Sequence, residues 1–505
     1  MNVVYALSHL EDWVGFAKEM KKRLNWEPRY WVCTWVTEGK ILKHFPDCYT
    51  HYYLSIIKGE SVGELDLFAP AGIDEDLIRE YAVEMDLAMK MMDRLDSGDG
   101  FSYNERKFFF LKLLNYAHNV LSKFEPELAI FTEIPHHVAQ YVLYVVLKKN
   151  GVKTLMFKPN TTLGVRLLIY NDIYDDPIAT MGQFKFSQEV DSHAKTAISE
   201  FIESKRGDYS RGIPDTIKSL HNQSSQTRAV FATLKRLLNA MAFFRIFDKS
   251  KFSTVRKLRG VPLEESEINK AQLYWLKWKG FRKQKKLRRK YDVYSTYDIN
   301  FDEKFIYIPL HYQPERTTSP DGGIYVEQLI MIQLLRSCLP REVTLVVKEH
   351  KSQFIPKREG HLSRFEFHYK ALKEMSGVKL APLETDPFVL LDKCWFVATV
   401  VGTAGLEAIA RGKPAIVFGG GCWYRSLEGV FYVKNRRELK VAIDRIINGV
   451  VIQEDSVKEF MMEFYQKSFA GVILPTFRRN QTEENNVKLM ADSVEKYVRH
   501  VFHWV

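Results

Sequence analysis

Phe396-Val397-Ala398-Thr399-Val400-Val401-Gly402-Thr403-Ala404-Gly405-Leu406-Glu407-Ala408-Ile409-Ala410 decides the fold of this chain. An apolar, β-branched run breaks at a glycine and resumes with helix-forming residues, which reads as a buried strand turning into a helix. Working outward, the same rhythm recurs at Phe305–Leu310, Thr344–Lys348 and Ala415–Phe418, each followed by a Gly-, Ser- or charge-rich loop and a helical pattern. It also fills the first third of the chain. Val3–Ala6, Tyr30–Trp35, Tyr52–Ile57, Leu128–Thr132 and Thr154–Phe157 read as strands, with helices over Trp13–Leu24, Phe108–Phe124 and Ala139–Lys149. Short strands separated by helices form β-α-β units and parallel sheets. The fold class is therefore α/β, with two Rossmann-like domains facing a cleft and a helical basic insertion between them. The boundaries read as 1–185 for an N-terminal Rossmann-like domain, 186–298 for the insertion, 299–480 for a C-terminal Rossmann-like domain and 481–505 for a closing helix.

Composition narrows the class. The 505 residues are 46% apolar, 27% charged and 13% aromatic with 18 prolines, which excludes a disordered or low-complexity chain. The 5 cysteines are odd in number and far apart with no C-x-x-C spacing, so a disulfide framework and a cysteine zinc site are not expected. The first residues lack a basic n-region and an apolar h-region, and no apolar run is long enough to span a bilayer. The expectation is a soluble, cytoplasmic protein. Its basicity is local: residues 231–290 hold 18 Lys and Arg against 4 Asp and Glu, or +14, while the whole chain is +11.

In open parallel sheets, ligands lie beyond the carboxyl ends of the strands. After Phe305–Ile308 comes Pro309-Leu310-His311-Tyr312-Gln313-Pro314-Glu315-Arg316-Thr317-Thr318-Ser319-Pro320-Asp321-Gly322-Gly323, too polar for packing and suited to a ligand loop. After Thr344–Val347 comes Lys348-Glu349-His350-Lys351, where an imidazole between lysines suits a phosphate. The turn at Gly402–Gly405 leaves backbone N–H groups at a helix start, with Thr403 either there or as a plain cap, and Glu407 within reach of ribose hydroxyls. The segment fits neither the Walker spacing nor G-x-G-x-x-G, which disfavours P-loop hydrolysis and ordinary dinucleotide binding. In the first domain, the strand ending at Thr132 runs into Glu133-Ile134-Pro135-His136-His137, a candidate acid/base cluster. A metal there is not expected, because adjacent histidines rarely point the same way and no third ligand suggests itself.

Taken together, the Pro309–Pro320 loop, Val347-Lys348-Glu349-His350 and Gly402-Thr403-Ala404-Gly405-Leu406-Glu407-Ala408 resemble the bacterial capsule and surface polysaccharide biosynthesis family, which includes Kdo and nonulosonic acid transferases. The resemblance spans about residues 300–430, is faint near 126–158 and absent over 186–295. It implies a GT-B glycosyltransferase with an N-terminal acceptor domain, a C-terminal donor domain and a CMP-sugar donor. The family's Lys-x-His-Pro phosphate segment falls on Lys348-Glu349-His350-Lys351 without its proline, and its Ser/Thr and Gly-Leu-Glu turn on Thr403, Gly405, Leu406 and Glu407. His311, Gln313 and Glu315 are then expected on the nucleotide side. Lys348, His350 and the turn at Thr403 would stabilise the departing monophosphate without a metal, so no cofactor is expected. Glu133 is the first candidate for base or nucleophile, His136 the second and Asp321 the third.

Leu273–Lys290 mixes Tyr274, Trp275, Trp278 and Phe281 with nine cations, and Leu234–Phe247 is amphipathic. Basic helices with Trp and Phe lie in membrane interfaces. Trp275, Trp278, Arg282, Lys283, Lys285 and Lys286 are the expected contacts with an anionic inner leaflet, ahead of a plain solvated face or a single-stranded nucleic acid. The expected function is transfer of a sugar, such as Kdo or a nonulosonic acid, to a glycan or lipid-linked acceptor in surface polysaccharide (capsule or lipopolysaccharide) synthesis, at the inner face of the bacterial inner membrane, beside other assembly proteins. The alternatives are a teichoic-acid-type polyol-phosphate transferase using a CDP-alcohol, and a non-catalytic GT-B scaffold.

Overall fold

The computed structural model describes residues 1–6, 10–96, 101–207, 255–256, 267–268, 270–355, 358–474, 477–478 and 481–504. Two sheets organise them. The second domain carries a six-stranded, wholly parallel sheet in the order Val378–Leu380, Thr344–Lys348, Phe305–Pro309, Phe396–Thr399, Ala415–Val417, Val430–Tyr432. The chain winds outward from Phe305–Pro309 in one direction and then, from Phe396–Thr399, in the other, so the sheet has a switch point between those two strands. The strands are near-continuous apolar runs because helices cover both faces. Every residue of Phe396–Thr399 and Ala415–Val417 is buried.

The first domain repeats the plan in seven strands: Phe469–Ala470, Arg166–Tyr170, Lys153–Asn160, Leu128–Phe131, Asn2–Ala6, Glu27–Cys33, Tyr49–Tyr52. Its switch point lies between Asn2–Ala6 and Leu128–Phe131, so Glu133 emerges beside it. Arg166–Tyr170 runs antiparallel to both its neighbours, and the other pairings are parallel. Two sheets of Rossmann order, one parallel and one parallel except at Arg166–Tyr170, match the expected fold class.

Three local expectations change. The Tyr52–Ile57 run is not a strand: the strand is Tyr49–Tyr52, and Tyr53–Lys58 is a helix whose buried residues are Ile56 and Ile57. The preceding strand stops at Cys33, leaving Thr34 and Trp35 past its end. Strands Arg166–Tyr170, Val378–Leu380 and Val430–Tyr432 escape a reading of apolar runs because two of them are only three residues long and the third starts on an arginine.

The chain's end returns to its beginning. Phe469–Ala470 joins the first sheet, and helix Glu483–Val501 packs Met490, Ala491, Val494, Tyr497 and Val498 into one core with Trp13, Phe16, Trp26 and Trp31. The boundary near 480 thus separates an element that completes the first domain from the rest. Of the insertion, helix Ser192–Arg206 and helix Lys270–Tyr294 are described, whereas Leu234–Phe247 lies outside the described residues. No helix among the described residues is long and apolar enough to cross a membrane. Met490→Ala should cost about 2–5 kcal/mol, the usual range for deleting a buried Met side chain. Denaturant unfolding followed by tryptophan fluorescence should show the loss, because the first-domain tryptophans share that core.

Candidate functional site

Each sheet delivers its polar residues from the strand ends at its switch point or one strand away. Strand Thr344–Lys348 ends on a lysine whose side chain is 5% exposed and makes no hydrogen bond or ion pair with the described residues. Burial, helped by Lys351, lowers its pKa to about 8. Two residues on, His350 Nδ1 accepts the Ser352 N–H at 3.1 Å. An N–H can only donate, so the neutral ring keeps its own proton on Nε2 as a donor. Burial lowers the pKa of His350 to about 4, so the ring is neutral at physiological pH. An ammonium and an imidazole N–H at one strand end make a site for an oxyanion.

Glu349, between them, faces inward and is 1% exposed. Its carboxylate accepts from Arg364 Nε at 3.0 Å and from the Tyr369 hydroxyl at 2.8 Å, while its own N–H donates to the Tyr291 hydroxyl at 3.0 Å. The Arg364 guanidinium continues to the His311 carbonyl at 2.9 Å, which fastens the Pro309–Pro320 loop to the Lys348–Lys351 loop. His311 Nε2 accepts from the Val401 N–H at 3.4 Å and lies 3.1 Å from the Thr399 hydroxyl, so Nδ1 carries the proton and faces Glu315 Oε1 at 3.5 Å.

Gln313 is 1% exposed and closed on itself: its N–H and C=O both pair with the Gln353 amide at 2.8 Å and its side chain donates to Thr318. It stands behind the loop and supports it, rather than lining the nucleotide side. The turn at Thr403 also differs from expectation. Helix Ala404–Ala410 has only 7 residues, and the Thr403 side chain does not cap it but donates to Glu407 Oε1 at 3.3 Å. Lys205 donates to the same oxygen at 3.2 Å. Gly405 serves close packing, since a Cβ there would stand 2.5 Å from the Tyr424 hydroxyl oxygen. Asp321 is 3% exposed and paired with Lys158 of the first domain, whose ammonium also reaches the Gly421 carbonyl at 3.1 Å. A carboxylate so engaged joins domains, and the third candidate for proton transfer is thereby removed from open reach.

Across the cleft, Glu133 and His136 are 9% and 7% exposed, with Glu133 Oε1 3.6 Å from His136 Nε2. Burial raises the Glu133 pKa to about 7, with Arg316 of the second domain opposing. Burial, together with the neighbouring His137, Arg316 and Arg94, holds the His136 imidazole far below its usual range. The rings of His136 and His137 lie 4.3 Å apart, 38° from coplanar, and the edge of Tyr53 meets His137 at 5.3 Å. Both reasons for expecting no metal therefore fail: the adjacent histidines do point together, and Glu133 is a third ligand type beside them.

Arg94 was silent in the sequence, a lone arginine after an acidic helical stretch. It donates to the Glu315 carbonyl at 2.6 Å, the Ser319 carbonyl at 3.3 Å and the His136 carbonyl, so one buried guanidinium ties the Glu133 segment to the Pro309–Pro320 loop. Burial lowers its pKa to about 10. Arg316 was quoted within its loop but given no role, and only the folded chain brings its charge to Glu133.

Helix Lys270–Tyr294 is two-faced. Gly280, Gln284, Leu287 and Tyr291 form a buried stripe at helical spacing, and a Cβ on Gly280 would stand 2.4 Å from His361 Nε2. On the other side Trp275, Trp278 and Phe281 are 56%, 53% and 48% exposed. Lys279 stacks over Trp275 at 5.4 Å and Arg282 over Trp278 at 4.7 Å, while Lys286 pairs with Glu366.

No profile of a known protein family matches the chain, and no curated protein matches it in sequence. Solved structures resemble it at low identity. A β-Kdo 2,7 transferase, KpsC of Thermosulfurimonas dismutans, is 10% identical over 78% of this chain and 98% of its own, with a TM-score of 0.28. UDP-GlcNAc 2-epimerase of Neisseria meningitidis, bound to UDP-GlcNAc, is 12% identical over 98% of this chain and 100% of its own, with a TM-score of 0.24. The enzyme of the same description from Methanocaldococcus jannaschii is 11% identical over 91% and 98%, again with a TM-score of 0.24. Superposition this loose adds nothing to the strand order and site geometry above, on which the functional reading rests.

Arg364→Leu would leave the Glu349 carboxylate buried and unpaired. Losing one partner of a buried ion pair costs about 3–5 kcal/mol, so the melting temperature should fall by several degrees. Arg364→Leu combined with Glu349→Met should recover much of the loss.

Proposed function

We infer that the chain is a nucleotide-sugar-dependent glycosyltransferase of bacterial surface polysaccharide synthesis, with a CMP-sugar donor carrying Kdo or a related acid. The observation that carries this reading is Lys348, a buried ammonium with no partner among the described residues, next to the Nε2–H of His350. Among the described residues no carboxylate reaches that ammonium at ion-pair distance, and Glu384, Glu349 and Asp386 act on it only from farther off; an anionic ligand would offset the cost of its burial. The donor's departing monophosphate is such a ligand, and it would draw on these two donors without a metal on that side. The acceptor approaches from the first domain, where the Glu133 cluster receives its hydroxyl. His311, oriented by Thr399 and Val401, and Glu315, which faces it, flank the donor.

The test is a thermal-shift panel of CMP, CDP, UDP and GDP followed by titration calorimetry. CMP should stabilise most. A CDP-specific response would favour the polyol-phosphate alternative, and silence throughout would sink the enzyme reading. The pH dependence has a definite sign. In the free protein burial lowers the pKa of this ammonium to about 8, and a bound anion requires it charged. Affinity should be full well below that pH and fall as pH rises through it, by up to about tenfold per unit. His350, already neutral there, adds no slope. Lys348→Met should lower the affinity and flatten the profile.

The exposed face of Lys270–Tyr294 supports a position on the anionic inner leaflet, at about 1 kcal/mol per cation near the surface, where a lipid-linked acceptor would reside. Arg282, Lys283, Lys285 and Lys286 changed together to Glu should abolish sedimentation with anionic liposomes and leave nucleotide binding intact. Equal binding to neutral liposomes, or tighter salt-sensitive binding to single-stranded RNA, would overturn this placement.

A further inference from the structure

We propose that Glu133, His136 and His137 form a binding site for one divalent transition-metal ion at the first domain's switch point. One ligand atom from each lies within 4.8 Å of the others. Glu133 Oε1 and His136 Nε2 are 3.6 Å apart, and two donors each bonded at about 2.1 Å to one tetrahedral or trigonal ion are separated by about 3.4–3.6 Å. Closing the widest pair in the group to that spacing takes a shift of about 1 Å, which His137, the least buried of the three, can supply by rotation about its side-chain bonds.

His136 is already set as a ligand. Its Nδ1 lies 3.1 Å from the Ile134 carbonyl, which can only accept, so Nδ1 carries the proton and Nε2 offers a lone pair. That Nε2 is buried without a hydrogen-bond partner. Metal-bound imidazoles usually donate their other N–H to a carbonyl or carboxylate in this way, which fixes the ring. The Arg94 bond to the His136 carbonyl holds the segment from behind. Two imidazoles and one carboxylate suit Zn²⁺, Co²⁺, Mn²⁺ or Fe²⁺ better than Mg²⁺ or Ca²⁺.

Three protein ligands leave the remaining positions of the ion to exogenous oxygen. Arg316, whose charge reaches Glu133 from the second domain, biases those positions toward an anionic or hydroxyl-bearing group. Identifying that group with the acceptor rests on the functional reading above; the ion site does not.

The probe is Co²⁺, added to the full chain without a polyhistidine tag after chelation and dialysis. One ion per chain should bind, with the visible absorption of a four- or five-coordinate centre and a rise in melting temperature. His137→Ala and Glu133→Gln should each weaken binding by about tenfold to a hundredfold or more, with far-ultraviolet circular dichroism unchanged. His137→Ala alters a partly exposed side chain, so it remains informative if the Glu133 variant folds poorly. Absence of stoichiometric binding, or unchanged affinity in both variants, would overturn the site. CMP binding is measured on the metal-free chain, so failure of the ion site and failure of the donor site are read separately.

Discussion

The carboxylate of Asp321 is almost wholly out of water, and a charge so placed is tolerable only beside a cation. That cation is Lys158, from the other domain. Removing either leaves an uncompensated charge at the junction of two sheets, so the pair fixes how the carboxyl edge of one sheet faces that of the other. Arg94 adds the second point of attachment by bonding carbonyls on both sides. Lys90–Glu327 at 2.6 Å and Arg425–Asp176 at 3.4 Å extend the same polar seam. The seam is polar where each domain interior is apolar.

Within the second domain the organising element is the Glu349–Arg364 pair. A carboxylate directed into the core, with Arg364 and Tyr369 both donating to it, forces the flanking residues outward. This is how alternation at the end of a strand turns Lys348 and His350 toward the site. The same guanidinium holds the His311 carbonyl, so the Pro309–Pro320 and Lys348–Lys351 loops share one internal anchor. Preorganisation of this kind keeps donors in place before a ligand arrives.

The sequence made the strand-loop-helix rhythm legible because parallel strands covered on both faces are continuous apolar runs, and the four central strands of the second domain stood out within a residue or two of their ends. It was least informative where a short segment borrows its structure from distant ones. Val378–Leu380 and Val430–Tyr432 are strands only because neighbours pair with them, and Phe469–Ala470 only because Arg166–Tyr170 offers an edge. The site divides similarly. Lys348, His350, His311 and Glu133 were visible as polar residues just past apolar runs. Which of their neighbours face inward was not: Gln313, Asp321 and Glu407 looked equally available and are engaged with Gln353, Lys158 and Lys205. Arg94 and Arg316 owe their importance to long-range packing alone, which leaves no local pattern.

The buried stripe of helix Lys270–Tyr294 makes that helix a lever. Gln284 donates to the carbonyls of Gln353 and Ile355, each at 2.9 Å, and the Gln353 amide in turn clasps the backbone of Gln313. Tyr291 reaches the N–H of Glu349 from one further pair of turns. Sliding the helix by one residue would break these bonds in sequence and release the loop they brace. The exposed tryptophans and the bonds that brace the loop therefore lie on opposite faces of one helix, so a load on one face is borne by the other.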